Sequence, residues 1–342
     1  MESAHRTALA KGEVGIREKK PAPTLNDFLV RRFEPWAKAR FENNVPETWH
    51  WYRTAMRAVQ QYKPLASCRL DQITTEKIAE FAAHRQALKM QISSVNNSLR
   101  ALRRMLRLAV EWGLLEVAPQ VKKLPSERHR ERIVTWPEEA RYLAAAPEPL
   151  ASVATVLVDT GMRPEECFRL RWDAVTWFNG RHGSLTVTHG KTAAARRMLP
   201  MTPRVRAILE RRWEGSGKPV EGWIWPASTR SGHIEPSSLR KQHTKTFETI
   251  AKQASEHNLR PVLAFVLYSL RHTFLTRLGE SGCDAWTLAR IAGHSTISIS
   301  SRYVHPSDDA VLTAMSRLGG HNFRHSGETL LPVEPVQRRL TQ

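Results

Sequence analysis

"SLTVTHGKTAAARRMLPM", residues 184–201, is the stretch where this chain departs from helical patterning. "SLTVT" and "RRMLPM" alternate apolar and polar residues with the period of two that a half-buried strand requires, and "HGKTAAA" turns the chain between them. On both sides the apolar residues return to helical spacing. Upstream, "TWPEE" reads as a helix start, with Thr135 as N-cap, Pro137 in the first turn and Glu138 closing a capping box ahead of "ARYLAAA". Downstream, helical patterns run from "PRVRAILERRW" to "DDAVLTAMSRL". Residues 135–318 are therefore expected to form a mostly helical domain with one small antiparallel sheet.

A second, all-helical domain is expected over residues 24–119. It opens at "TLND", where Thr24 is the N-cap and Asp27 the third helical residue, and continues through "ETWHWYRTAMRAVQQY", "TTEKIAEFAAHRQAL" and "SVNNSLRALRRMLRLAVEWGLL". In the last of these Leu99, Leu102, Met105, Leu106, Ala109 and Val110 share one face, while Arg100, Arg103, Arg104 and Arg107 make a stripe on the other. A stripe of one sign without acidic i,i+4 partners repels itself unless a counter-anion is present, which predicts phosphate contact. The proline-bearing, highly charged stretch 120–134 reads as a basic linker between the domains, and residues 1–23 and 319–342 read as tails.

The composition names the class of partner. Lys and Arg total 52 against 33 acidic residues, a formal charge of +19 with a pI near 10.5, and nucleic acid is the first polyanion to consider. The longest apolar stretches, "ASVATVLV" and "VLAFVL", are too short to cross a bilayer, so no membrane association is expected. The opening "MESAHRTALAKGEVG" has no apolar signal region, and a cytoplasmic, nucleoid-associated location is expected. The three cysteines, Cys68, Cys167 and Cys283, lack CxxC spacing, the 14 histidines include no HExxH pair, and no GxxxxGK[ST] loop occurs. Neither a metal nor a nucleotide cofactor is expected.

Four segments of the 135–318 domain carry groups suited to a phosphodiester. In "VDTGMRPEECFRLRW" a helix stops at Gly161, and Arg163 stands directly ahead of Pro164 and of a new helix whose first turn holds Glu165 and Glu166. Lys191 lies in the hairpin turn, where an ammonium can reach a DNA groove or a leaving oxygen. In "VLYSLRHTFLTRL" Arg271 follows an apolar run on a buried helix, a costly place for a charge that is not paired or used. Finally, "AGHSTISISSRYVH" places His294 after a glycine and Tyr303 nine positions further on.

In this order and spacing the four segments resemble the catalytic boxes of the tyrosine recombinases, the phage integrase family. The resemblance covers about residues 24–318. It implies a helical, SAM-like core-binding domain joined to a catalytic domain, the two forming a C-shaped clamp on DNA. It also implies Arg163 and Arg271 as phosphate clamps, Lys191 as the acid for the leaving oxygen, His294 as a hydrogen-bond partner, Glu166 as support for the first box, and Tyr303 as nucleophile. Arginine forks onto phosphate oxygens and stays charged, and tyrosine needs nearby cations and a proton acceptor before it attacks at neutral pH. The implied reaction gives a 3′-phosphotyrosine and a free 5′-hydroxyl without metal or ATP. The implied partners are double-stranded DNA with inverted-repeat core sites and further copies of the chain: a monomer when free, a homotetramer on DNA. An accessory DNA-bending or directionality protein is a further partner that the resemblance leaves open.

The chain departs from the family pattern at one position of the second arginine box, where Tyr268 stands three residues before Arg271 in place of a histidine. Tyr268 is expected either to support Arg271 by a hydrogen bond or to leave the base role to His294 and water. His272, one step further along the helix and turned by about 100°, is not expected to replace the missing histidine. Past Tyr303, Ala310, Val311, Ala314, Met315 and Leu318 mark one side of a short helix, for packing on its own domain or docking on a neighbouring copy. Two other readings stay open: a type IB topoisomerase, which shares this tyrosine chemistry, and a catalytically weakened DNA-binding protein.

Overall fold

The structure, a computed structural model, describes residues 21–126, 132–178, 180–190 and 193–304, with Arg6, Leu312, Met315 and Ser316 as isolated positions. The chain divides into two units, Met1–Arg130 and Glu131–Gln342.

The regular elements of the first unit, among its described residues, are helices and turns with no strand. Helix α1 (Leu25–Phe28) runs through a π-helical turn (Leu29–Phe33) into α2 (Glu34–Phe41), followed by α3 (Pro46–Gln61), α4 (Thr75–Ala87) and α5 (Ile92–Glu111). Thr24 caps α1 as its sequence predicts, its hydroxyl accepting from the Asp27 N–H at 3.0 Å. The apolar face of α5, with Leu99, Leu102, Met105, Leu106 and Ala109, is fully buried against the other helices. Each buried leucine there contributes roughly 2 kcal/mol. An aromatic cluster completes the core, with Phe33 edge-on to Tyr52 at 5.2 Å and Trp36 edge-on to Trp112 at 5.8 Å.

Two expectations change in this unit. The arginine stripe of α5 is not free of acidic partners, because Arg104 reaches two turns along the helix to Glu111 at 2.7 Å, and Arg100 donates to Asn97 at 2.8 Å. Glu111 stands four residues past Arg107, an i,i+4 spacing that the sequence reading passed over, and the structure gives it to Arg104 instead. Arg103 and Arg107 remain exposed. The stretch taken as a linker also begins inside the packed body. Val121 is in the core, and buried Asn96 holds Leu124 by both backbone groups, at 2.8 and 3.0 Å. A charged, proline-bearing segment reads as open from composition, but Asn96 supplies the hydrogen bonds that a strand or helix would otherwise have provided.

The second unit is built around α7. Its elements in order are α6 (Trp136–Ala145), α7 (Leu150–Thr160), α8 (Pro164–Phe168), β1 (Val175–Thr176), β2 (Ser184–Val187), β3 (Arg197–Pro200), α9 (Pro203–Gly215), α10 (Pro236–Glu256), α11 (Leu267–Glu280), α12 (Ala285–Ala292) and α13 (Ile297–Ser300), closed by a 3₁₀ turn (Ser301–Tyr303). Helix α7 is apolar on every side, with Leu150, Val153, Ala154, Val156 and Leu157 all buried, so it lies inside, and α11 packs along it. The predicted hairpin is present, with Leu185 opposite Leu199 and Val187 opposite Arg197, and β1 adds a third antiparallel strand. β1 is only two residues long, too short to show alternation in the sequence. The Thr135–Glu138 capping box forms, the Glu138 carboxylate accepting from the Thr135 N–H at 2.9 Å.

Buried Glu139 of α6 accepts from Arg204 of α9 at 2.9 Å and from Arg277 of α11 at 2.5 Å, and Arg204 also pairs with Asp159 at the end of α7. Glu139 thereby links three helices, and Asp159 ties in α7 through Arg204. The C-terminal amphipathic helix lies largely outside the described residues, as do most of both tails. Of its positions, Leu312 and Met315 are helical and exposed.

Candidate active site

Two left-handed glycines prepare the site. Gly161 (φ 64°) ends α7 and Gly293 (φ 65°) ends α12, and both turn carbonyl oxygens toward arginine side chains. Arg271, on α11, is only 1% exposed. It donates to the Gly161 carbonyl at 2.7 Å, to the Ala292 carbonyl at 2.7 Å and to His294 Nε2 at 3.0 Å. Carbonyls at the C-terminal ends of two helices carry the partial negative charge that makes such a buried cation tolerable. Even so, burial, followed by the neighbouring charge of Arg163, lowers the Arg271 guanidinium to about 10.

Arg163 occupies the N-cap position of α8, as its place before Pro164 predicts. Its guanidinium donates to Glu166 Oε1 at 2.7 Å and to the Gly293 carbonyl at 3.1 Å, while its own N–H donates to Glu166 Oε2 at 2.9 Å. Glu166 is buried and serves a second cation, Arg197 of β3, which donates to its two oxygens at 2.8 and 3.2 Å. Burial alone would raise the Glu166 carboxyl, but Arg197 and then Arg163 hold it below the ordinary carboxylate range.

Arg197 was not among the residues singled out from the sequence. It also donates to the carbonyls of Ile291 at 2.6 Å and Ala195 at 2.8 Å, so it ties the hairpin to α12. Strand alternation carried the signal: in "RRMLPM", Arg197 falls on the same side as Leu199, and that side is buried. Two guanidiniums, Arg163 and Arg197, therefore share one carboxylate and Arg271 adds a third cation nearby, leaving a surplus of positive charge at a half-exposed arginine, an arrangement that suits an anion.

His294 connects this cluster to Tyr303. A guanidinium only donates, so His294 Nε2 accepts from Arg271, and the neutral ring's Nδ1–H donates to Ser300 Oγ at 2.8 Å. Burial first, then the charges of Arg271, Arg163 and Arg197, lower His294 to about 4. The rings of His294 and Tyr303 stack at 6.5 Å, inclined by 19°. Ser300, fully buried, was likewise not singled out from the sequence.

Tyr303 stands in the 3₁₀ turn after α13, and its hydroxyl lies 2.7 Å from His272 Nδ1. His272, set aside in the sequence reading, is thus in hydrogen-bond contact with Tyr303. The 100° step along α11 does turn it away from Arg271, but the Tyr303 turn packs on that other side of the helix. Gly279 makes this approach possible, since a Cβ there would lie 1.8 Å from the Tyr303 carbonyl oxygen. Tyr268 makes no hydrogen bond to Arg271, whose terminal nitrogens go to Gly161, Ala292 and His294. It is 41% exposed and sets its ring edge-on to His272 at 5.0 Å. Lys191 lies outside the described residues. The structure thus brings together Arg163, Glu166, Arg197, Arg271, His294, His272 and Tyr303.

The stripe arginines of α5 belong to a separate place in the first unit. Arg103 and Arg107, with Lys122, Lys123 and residues 118–121, line a groove of about 740 Å³.

Comparison with known proteins agrees with this architecture. An integrase/recombinase of Escherichia coli is 25% identical over 324 residues, 83% of this chain and 88% of that protein. The tyrosine recombinase XerC of Erythrobacter litoralis is 28% identical over 238 residues, 65% of this chain and 71% of that one. The Tn1549 transposon integrase, solved in complex with a circular-intermediate DNA, shares the fold with a TM-score of 0.66 at 18% identity, covering 86% of this chain and 99% of that one. The model of the phage integrase SAM-like domain matches residues 29–123, and that of the phage integrase family matches residues 127–310. With more than half of its length matched by the family model and the arginine, histidine and tyrosine boxes folded around one cationic cluster, the chain belongs to the phage integrase family, the tyrosine recombinases.

Proposed function

We propose that this protein cleaves and rejoins DNA at a specific site through a 3′-phosphotyrosine at Tyr303. The observation that carries the reading is the Arg163–Glu166–Arg197–Arg271 cluster, cationic in excess and joined through His294 to the Tyr303 ring. A scissile phosphate seated on Arg163 and Arg271 would have its growing equatorial charge neutralised as the phenol oxygen attacks phosphorus. Glu166 and Arg197 hold Arg163 in place, and Lys191 protonates the departing 5′-oxygen. The bond energy is kept in the phosphotyrosine, so a 5′-hydroxyl from a second duplex can resolve it without ATP. The arginines bring the positive charge, and in this reading no metal is required.

The natural substrate is double-stranded DNA carrying inverted-repeat core sites, on which four copies assemble from free monomers, with an accessory DNA-bending or directionality protein as a further participant. The groove beside Arg103 and Arg107 would hold the phosphate backbone outside the chemical step.

Covalent capture tests this. Wild type and Tyr303→Phe are incubated with fragmented DNA from the source genome and its mobile elements, denatured, and the protein-linked fragments sequenced. Tyr303-dependent adducts at one inverted-repeat sequence are expected. Dispersed adducts would instead indicate relaxation of the topoisomerase type, and a complete absence of adducts would leave DNA binding alone.

A further inference from the structure

We propose that His272 is the proton acceptor for Tyr303, serving from one helical turn further along α11 the role that Tyr268 cannot. The inference rests on the strand-cleavage reading above and assigns one step within it.

The geometry is specific to this pair. His272 and Gly279 are seven residues apart and share one face of α11. The Tyr303 backbone is seated on Gly279, and that seat brings the phenol oxygen to 2.7 Å from His272 Nδ1. Tyr268, four residues before His272 on the same face, packs its ring edge against the imidazole at 5.0 Å. His294, the other imidazole at the site, has both nitrogens engaged, one accepting from Arg271 and one donating to Ser300. Its neutral ring therefore has no lone pair left for the phenol proton.

The elements around the pair carry Tyr268, Arg271 and Glu280 on α11, Arg290 on α12, His294 after it, and Arg302 in the turn. A pH limb is consequently assigned to His272 only by comparison with variants at that position.

In the step, the phenolic proton passes to His272 Nδ1 as the Tyr303 oxygen bonds to phosphorus. The P–O5′ bond breaks, and the 5′-oxygen takes its proton from the acid of the site. On resolution an incoming 5′-hydroxyl attacks the phosphotyrosine and gives its proton to the now deprotonated acid of the site, the bond between phosphorus and the Tyr303 oxygen breaks, and the imidazolium returns its proton to the departing phenolate.

The test uses a duplex bearing a bridging 5′-phosphorothiolate at the cleavage site recovered by covalent capture, because a thiolate leaves without an acid and only the attack is measured. Adduct formation by the wild type should rise with pH along an imidazole limb to a plateau. His272→Gln, which keeps a hydrogen bond but cannot hold the proton, should lower the plateau by about 30-fold or more and remove the limb. In His272→Ala, added imidazole should restore part of the rate, a rescue that a purely structural role would not show. Tyr268→Phe should retain the limb.

The proposal is overturned if His272→Gln stays within about three-fold of wild type with the limb intact. A wild-type rate that falls with rising pH would also overturn it, because the imidazolium would then be donating to the phenol oxygen. Absence of any Tyr303-dependent adduct from the wild type would overturn the strand-cleavage reading itself, and this assignment with it.

Discussion

Glu166 is the carboxylate around which the arginine cluster is built. Its carboxylate is the shared partner of Arg163 and Arg197, and removing it leaves two guanidiniums close together with a buried one uncompensated. Breaking such a buried pair costs about 3–5 kcal/mol, so Glu166→Ala should destabilise the second unit by that order in urea unfolding. His294 adds a pH dependence of definite sign. Its folded-state value, about 4, lies below the ordinary 6.5, so the unfolded chain takes up the proton first as pH falls. Stability of the second unit should therefore decline from about pH 6.5 toward about pH 4, and His294→Gln should flatten that part of a stability-against-pH profile. Tyr268 makes a milder prediction. Its ring is half exposed and its phenol does not bond Arg271, so Tyr268→Phe should slow adduct formation less than ten-fold. Arg163→Ala or Arg271→Ala should slow it by on the order of 100-fold or more.

At the scale of elements, the site is made where helix ends meet. The turns at Gly161 and Gly293 present carbonyls to Arg271 and Arg163, and a Cβ at Gly293 would come within 2.8 Å of the Arg197 guanidinium. The Tyr303 turn sits directly on α11 because Gly279 has no side chain there. Gly279→Ala should raise the helical propensity of α11 locally and yet displace the turn. Expected are adduct yields reduced at least about ten-fold with DNA binding unchanged in a gel shift, since the phenol moves relative to the arginines. Unchanged cleavage in Gly279→Ala would mean that the turn reaches the arginines from another position.

For the molecule as a whole, the charge of +19 predicts affinity for any duplex and a steep dependence on salt. Arg103 and Arg107 are exposed beside Lys122 and Lys123, whereas Arg104 is partly neutralised by Glu111. The double substitution Arg103→Ala, Arg107→Ala should lower the slope of log affinity against log salt by about two, and Arg104→Ala should lower it by less than one. Fluorescence anisotropy with a duplex of arbitrary sequence, titrated at several salt concentrations, measures both. Equal slopes for all three proteins would place the phosphate contacts elsewhere on the chain.

What the sequence determined by itself is local: where helices begin and stop, which face of α5 is apolar, and the hairpin. Thr24, Thr135, Gly161 and Arg163 behave as predicted because capping and left-handed termination depend on a few neighbouring residues. The order of the arginine, histidine and tyrosine boxes was legible for the same reason. Only the tertiary structure decided which partners those boxes receive. Arg197 reaches Glu166 across 31 positions, Arg271 reaches Gly161 across 110, and His272 meets Tyr303 across 31 because a separate turn docks on α11. Contacts of that kind leave no period in a sequence. They arise when packing brings distant segments within hydrogen-bonding distance, and the cost of leaving a buried charge unpaired then selects the partner.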